Sequence, residues 1–368
     1  MTTPIMNTLK EWFKDALTPI LAIILAFFIG GIIIYFMGIS PIDAYKSLIR
    51  GSMGSKSAIA ETLIKAIPLV LTGLAFSIAF RCGLFNIGAE GQLYMGAFAA
   101  VAAGIYVQGI PAYIHLPLAL LAGILGGGLW GMLCGWLKVR FGANEIITTV
   151  MFNYVAILWI SYIVTGPFKD PSGTMPQTSA IAVTAQLPRI LPETRLHLGI
   201  MVALAAIIFF YIFLWHTTKG YEIRIVGQNL HAARYAGMKP EYNVVLAMFI
   251  AGGMGGLAGT SEILGLQHRL IQGFSPGYGF DGIAVALLGR NGPIGIFLAA
   301  LLFGMLRSGG NLMQMLNGVP VAIIYVIQAL VIIFVVSEHL LKSSNRKAIL
   351  TYLSRFQVKE RGTKNHGN

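Results

Sequence analysis

The sequence has little charge: only 11% of its 368 residues are Asp, Glu, Lys or Arg, whereas 56% are apolar. Because a soluble domain is about 25% charged, the chain lacks the solvating groups that a water-soluble enzyme of this size needs. Its two cysteines, Cys82 and Cys134, lie in apolar stretches, which argues against a disulfide framework and for buried thiols. The composition predicts an all-α fold class, that of a polytopic helical membrane protein.

Catalytic motifs are also missing. The sequence contains no Gly-x-x-x-x-Gly-Lys-Ser/Thr phosphate loop, no His-Glu-x-x-His, no Gly-x-Ser-x-Gly and no Cys-x-x-Cys. Its seven histidines never cluster, whereas a metal site needs several convergent ligands. We therefore expect no catalytic residue, no metal and no cofactor. An intramembrane enzyme is disfavoured because no nucleophile stands beside a base.

The sequence contains ten long apolar runs. A membrane-spanning helix needs about 20 apolar residues. The runs cover residues 19–37, 59–80, 88–107, 115–137, 144–165, 197–216, 243–264, 277–289, 293–312 and 319–341. The run 277–289 is too short to cross the bilayer comfortably alone. The sequence therefore predicts about ten transmembrane helices, some of them broken or short.

The distribution of positive charge predicts the orientation. With the N-terminus in the cytoplasm and every segment crossing, 17 of the 26 lysines and arginines lie inside. The reverse orientation would invert that ratio, against the positive-inside rule. Both termini are then cytoplasmic, in a bacterial plasma membrane. The formal net charge of +12 indicates contact with anionic lipid at the inner face rather than binding of nucleic acid.

These assignments divide the chain into three parts. Residues 1–17 form a cytoplasmic N-terminal segment, 18–341 the transmembrane domain and 342–368 a basic cytoplasmic tail. The polar stretches between the membrane segments are 38–58 and the proline-rich loop 166–196 outside, and 217–242 in the cytoplasm.

Glycines recur at helical spacing in two of the segments. Residues four apart lie on one face of a helix, and in lipid such small-residue faces let two backbones approach closely. We expect helix packing at Gly123, Gly127, Gly131, Gly135, Gly252 and Gly256.

Polar residues at membrane depth mark two further segments, and such residues are expensive and usually functional. The segment 81–92 contains Asn86 and Glu90, and the glycine-rich segment 274–282 contains Asp281. Paired short, glycine-interrupted segments indicate the core of a transporter. Asn86, Glu90 and Asp281 are therefore candidates for a substrate path. Each acid also stands one turn into a helix, where the dipole favours a structural capping role.

Three blocks of sequence carry a resemblance to a known family. Residues 81–92 read RCGLFNIGAEGQ, 227–237 read GQNLHAARYAG and 281–289 read DGIAVALLG. In this order they resemble the permease subunits of ABC importers, in the group for branched-chain amino acids, ribose and nucleosides. The form LFNIG is most similar to nucleoside permeases that work with a basic membrane protein lipoprotein. Sugar permeases usually show GGIDLS there, which this chain lacks.

The resemblance implies a type II ABC importer-like bundle that does not itself hydrolyse ATP. It implies a cytoplasmic ATPase subunit that binds the ATP, a second and non-identical permease subunit, an external substrate-binding lipoprotein and a small solute. It assigns coupling to the ATPase to a short helix with Gly227, Gln228, Asn229, Ala232, Ala233 and Gly237. Alanine favours a helix there, and an ordinary solvated loop is the alternative.

Three other functions stay open at this point. A permease for a ribose-like sugar or one for branched-chain amino acids would share the same group resemblance. An ion-coupled secondary transporter would instead use Glu90, Glu262 or Asp281 as proton relays.

Overall fold

The computed structural model describes residues 4–342, and the side chains of 20–335 and Ser337. The predicted basic tail 342–368 lies outside the described residues except for its first position. The chain divides into two compact units. One contains the residues up to Ile42 and from Pro320 onward, and in it the first and last described helices pack against each other. The other runs from Asp43 to Val319.

Thirteen α-helices lie among residues 4–342. They are α1 (Pro4–Phe36), α2 (Pro41–Met53), α3 (Lys56–Arg81), α4 (Ala89–Tyr106), α5 (Ala112–Phe141), α6 (Glu145–Thr165), α7 (Gly199–His216), α8 (Thr218–Gln228), α9 (Leu230–Tyr235), α10 (Pro240–Glu262), α11 (Tyr278–Leu288), α12 (Pro293–Asn317) and α13 (Ala322–Lys342).

The all-α membrane fold is confirmed. Each of the ten predicted segments corresponds to a helix, and no strand occurs in the described chain beyond two isolated bridges. Six helices are long and apolar enough to cross a membrane. They are α3, α5, α6, α7, α12 and the continuous helix Pro240–Gln267, in which a π-helical turn follows α10.

Two regions differ from the predicted organisation. Helix α1 begins at Pro4, so the described part of 1–17 continues into the first membrane segment instead of preceding it. The stretch 38–58 contains helix α2, which buries Leu48. The carbonyl of Gly51 accepts a hydrogen bond from the Ser308 hydroxyl at 3.2 Å, which attaches α2 to α12. The first part of α1 and the whole of α2 were not predicted as helix, because polar residues interrupt the apolar pattern that marks a span.

The centre of the larger unit is a contact between the backbones of α5 and α10. A Cβ atom built on Gly127 would lie 2.6 Å from the Cα of Gly256, and one on Gly131 would lie 3.0 Å from the Cα of Gly252. Gly123 faces Thr260, and Gly135 faces Met248. The six glycines thus lie on the facing sides of the two helices, where a side chain would separate them.

The loop 166–196 has little regular structure but is bonded to the residues that follow the π-helical turn. The backbone N–H groups of Thr178 and Ile181 donate to the carbonyls of Leu270 and His268, each at 3.0 Å. Asp170 pairs with Arg269 at 3.3 Å. The two backbone hydrogen bonds satisfy polar groups that have no helical partner in this proline-rich loop.

Replacing Gly127 with Leu should destabilise the protein, because the new side chain would meet the backbone of Gly256 rather than a movable group. Overpacking of this kind costs about 1–3 kcal/mol or more. We expect lower abundance in the membrane and a lower unfolding temperature in detergent.

The matched control is Leu129→Phe, which adds bulk to the exposed side of the same helix. Equal stability of the Gly127 variant and the wild type would contradict the assigned contact.

Candidate functional site

Helices α4 and α11 both begin inside the bundle rather than at its end. The Thr72 hydroxyl of α3 donates to the carbonyl of Tyr278 at 3.0 Å, nine residues before α3 ends at Arg81. At 1.5 Å per residue, α11 therefore begins about 14 Å along the axis from the end of α3. Farther on, the Ser77 hydroxyl donates to the carbonyl of Asn291 at 3.2 Å. Helix α11 thus runs beside the last half of α3.

Glu90 joins the starts of these two helices. Its carboxylate accepts a hydrogen bond from the backbone N–H of Gly279 at 2.6 Å. The side chain is only 3% exposed, so that N–H has no access to water. Only glycine fits at position 279, because a Cβ atom there would lie 2.7 Å from the carbonyl carbon of Ala89. Glu90 lies on α4 but caps α11.

Asp281 pairs with an arginine instead of capping its own helix. Its carboxylate forms an ion pair with Arg307 of α12. The Arg307 guanidinium also stands over the ring of Tyr278, 4.8 Å from its centroid. Arg307 is 8% exposed, so this charge lies inside the unit and needs its counter-ion.

Asn86 belongs to a different network from the two acids. Its side-chain oxygen accepts from the N–H of Gly88 at 2.9 Å, and its amide pairs with that of Gln92 at 3.3 Å. Asn153 of α6 completes this network by accepting from the N–H of Gly91 at 2.7 Å and donating to the carbonyl of Ile87 at 2.9 Å. Asn86 therefore shapes the turn before α4, and the structure does not bring it to Asp281.

Sequence reasoning did not select Arg307 as a candidate residue. The signal that could have identified it is the same one that selected the acids: a charged residue within the apolar run 293–312. Glu262, at the end of α10, is also buried and lies within the electrostatic reach of Lys65 and Arg307.

A groove in the same unit contains further polar and charged residues. It has a volume of about 540 Å³ and lies between α2, α3 and α12. Its lining includes Lys65, Asn311 and the ion pair of Glu61 with Arg195, whose charged atoms are 2.8 Å apart. Lys65 thus links the groove to Glu262. The groove and the Glu90–Asp281–Arg307 cluster thus place polar and charged side chains within an otherwise apolar unit.

The segment 217–242 contains two helices with a sharp joint between them. Asn229 begins α9 by accepting from the N–H groups of His231 and Ala232 at 3.0 Å. Gly237 ends it with a φ of +78°, which favours glycine. Glu222 of α8 accepts hydrogen bonds from Lys219 of the same helix and from Asn243 of α10, and these bonds lower the pKa of Glu222 below its ordinary value. The predicted short helix is therefore present, and it is preceded by a second one.

The residues expected to contact an ATPase separate into two sets. Gly227 packs on the turn after α3, where a Cβ atom built on Gly83 would lie 3.2 Å from the Gly227 Cα. Ala233 is fully buried by the chain itself. Gln228, Asn229, Ala232 and Gly237 are exposed. Among the large hydrophobic residues that the structure describes, Tyr235 is the most exposed, at 95%, and the sequence argument did not select it.

Comparison with known proteins identifies the family. The family model for the permease component of branched-chain amino acid transport systems matches residues 58–336. The chain belongs to this family. It is 42% identical over 330 residues to the guanosine ABC transporter permease protein NupP of Bacillus subtilis, with 89% of this chain and 94% of that protein covered.

Two further relatives cover most of the permease. The glucose ABC transporter permease protein TsgB13 of Haloferax volcanii is 38% identical, with 91% of this chain and 90% of that protein covered. The nucleoside ABC transporter permease protein NupB of Lactococcus lactis is 34% identical, with 91% and 94% covered. No solved structure matches the chain. The family match includes the segments that carry Glu90, Asp281 and α9. The protein is a multi-pass membrane protein.

Replacing Glu90 with Gln should lower uptake at normal abundance. The amide oxygen can still accept from the N–H of Gly279, so the start of α11 stays satisfied while the charge is lost. Glu90→Ala removes the acceptor, which costs about 1–3 kcal/mol, and should lower abundance too. Glu193→Gln, in the exposed part of the external loop, is the control. Parallel loss of abundance and uptake in Glu90→Gln would show a capping role alone.

Removing the charges of Asp281 and Arg307, singly and together, tests their ion pair. Asp281→Asn alone leaves the buried charge of Arg307 without its partner, and we expect about 3–5 kcal/mol of destabilisation. Arg307→Gln alone leaves the half-buried charge of Asp281 unpaired and should cost less. The double variant Asp281→Asn/Arg307→Gln removes both charges and should regain stability relative to either single variant. Unfolding temperatures in detergent check this. Additive losses in the double variant would contradict the pairing.

Proposed function

We propose that this permease is the membrane subunit of an ATP-driven importer and that its cargo is a nucleoside. The observation that carries the transport role is the meeting of two internal helix starts on the buried charges of Glu90 and Arg307 and the half-buried charge of Asp281. Such interrupted helices expose backbone polar groups that only a cavity or a buried partner can satisfy. The phosphate loop missing from the sequence supports an ATPase on a separate subunit.

The chemistry of the site supports a polar, uncharged cargo. The charges of Asp281 and Arg307 neutralise each other, and the charge of Glu90 faces the positive end of α11. Aromatic rings stand beside them: Tyr94 lies one turn after Glu90, and its ring centroid is 4.8 Å from that of Phe274. A nucleoside offers a flat base to such rings and hydroxyl groups to polar side chains.

The cargo proposal also rests on the relatives. NupP and NupB are named for guanosine and for nucleosides, and they cover most of this chain. The 38% identity to a glucose permease favours a sugar as the second candidate. A nucleoside and a sugar share hydroxyl groups, and they differ in the base that an aromatic pair would contact.

The partners and the orientation follow from the same proposal. The exposed residues of α9 offer a surface to the ATPase subunit, and α9 lies on the cytoplasmic side if the excess of positive charge faces inward. An external lipoprotein would deliver the solute to the groove between α2, α3 and α12. A second, non-identical permease subunit, which the family resemblance implies, would complete the path.

Uptake of labelled guanosine by cells that express the complete transporter tests the function. We expect uptake to continue when the proton gradient is collapsed and to stop when ATP is depleted. Unlabelled uridine and adenosine should compete, whereas leucine and ribose should not. The matched control is the same strain with Glu90→Gln.

Two results would contradict parts of this proposal. Loss of uptake with the proton gradient while ATP remains would indicate a secondary transporter. Competition by glucose or ribose in preference to uridine and adenosine would assign the cargo to the sugars.

A further inference from the structure

Three arginines surround a small cavity beside α8. The cavity has a volume of about 330 Å³ and lies where the end of α3, the end of α8 and the turn between α11 and α12 meet. Arg81, Arg224 and Arg290 contribute to its lining, one from each of these elements. No Asp or Glu is among the residues that line it. The cavity thus concentrates positive charge without an acid of its own.

Two of the arginines are held in place by a tryptophan. The guanidinium groups of Arg81 and Arg224 lie 5.4 and 5.9 Å from the ring centroid of Trp215. Arg81 also donates to the carbonyl of Asn291 at 3.0 Å. The Nε atoms of Arg81 and Arg224 are buried and have no hydrogen-bond partner in the described part of the chain. Two donors are therefore withdrawn from water and left unused.

The third arginine occupies a costly backbone position. Arg290 and Asn291 both have a φ of +52°, in the left-handed region that favours glycine. That conformation is unfavourable for a residue with a side chain, and such positions concentrate at functional sites. The turn thus presents a long cationic side chain at a place where the backbone alone would favour glycine.

We propose that a carboxylate of the ATPase subunit enters this cavity and binds between the arginines. The proposal rests on the proposed function, because it requires that subunit. Gly227 and Gln228 line the cavity, and the chain continues from them directly into α9, where Leu230 and Tyr235 are exposed. A protein that docks on α9 therefore covers the cavity as well.

The positive charge of the arginines determines which chemical group binds in the cavity. Covering guanidinium groups with protein and giving them no counter-charge is strongly unfavourable. A carboxylate accepts hydrogen bonds from several arginine N–H groups at once, in a geometry that the planar guanidinium fits. The bound carboxylate would connect α8 to the end of α3 and to the turn after α11. Those two elements hold Thr72 and Asp281, so movement of the ATPase would reach the path.

Replacement of Arg224 tests the inference in the assembled transporter. In Arg224→Gln we expect at least about tenfold weaker association of the ATPase subunit and a matching loss of uptake, at normal abundance of the permease. Arg224→Lys should retain part of both. Arg140→Gln, which removes an exposed arginine from the last turn of α5, should behave as the wild type.

Crosslinking identifies the group that binds. In the complex with Arg224→Lys, a carbodiimide should join the new lysine to an Asp or Glu of the ATPase subunit through an amide bond with loss of water, and mass spectrometry should locate it. Arg140→Lys should give no such product.

Two results would overturn the inference while leaving the proposed function intact. They are wild-type uptake and ATPase association in Arg224→Gln, or the absence of that crosslink in an active Arg224→Lys complex. ATP-independent uptake by the wild type would overturn the proposed function itself.

Discussion

The fold depends on one requirement of apolar surroundings: a backbone N–H group that starts a helix inside the bundle must find an acceptor. At the start of α11 the acceptor is the carboxylate of Glu90, 2.6 Å from the N–H of Gly279. At the start of α4 it is the side-chain oxygen of Asn153 for the N–H of Gly91. Because each helix start is satisfied from another helix, both can begin at depth. This in turn places polar side chains where a solute could pass.

Close backbone contact is the second condition for this arrangement. The facing glycines of α5 and α10 let the two helices approach until Gly127 and Gly256 leave no room for a side chain. Helix α4 packs against both of them. Contacts of α4 with these two helices therefore help to position Glu90. A loss of packing at the glycines and a change in the charged site are linked for this reason.

The segment 217–242 is connected to the same site through the end of α3. Gly227 of α8 rests on the turn after α3, and that turn leads through Asn86 into α4. Arg81 bonds the end of α3 to the turn after α11 through the carbonyl of Asn291. The segment that the family resemblance assigns to coupling thus contacts the turn that leads into α4, and Arg81 at the start of that turn is bonded to the turn after α11.

The sequence by itself determined the all-α membrane fold, the ten segments and the candidate acids, because hydropathy and expensive buried charges are local properties. The tertiary structure decided what each polar residue does, since that depends on partners distant in the chain. Glu90 caps a helix 189 positions away, Asp281 pairs with Arg307, and Asn86 serves a local turn. Ala233 was expected at a docking surface, but it is buried by its own chain. A pattern of small residues predicts that a surface can pack closely, and only the fold decides against which neighbour.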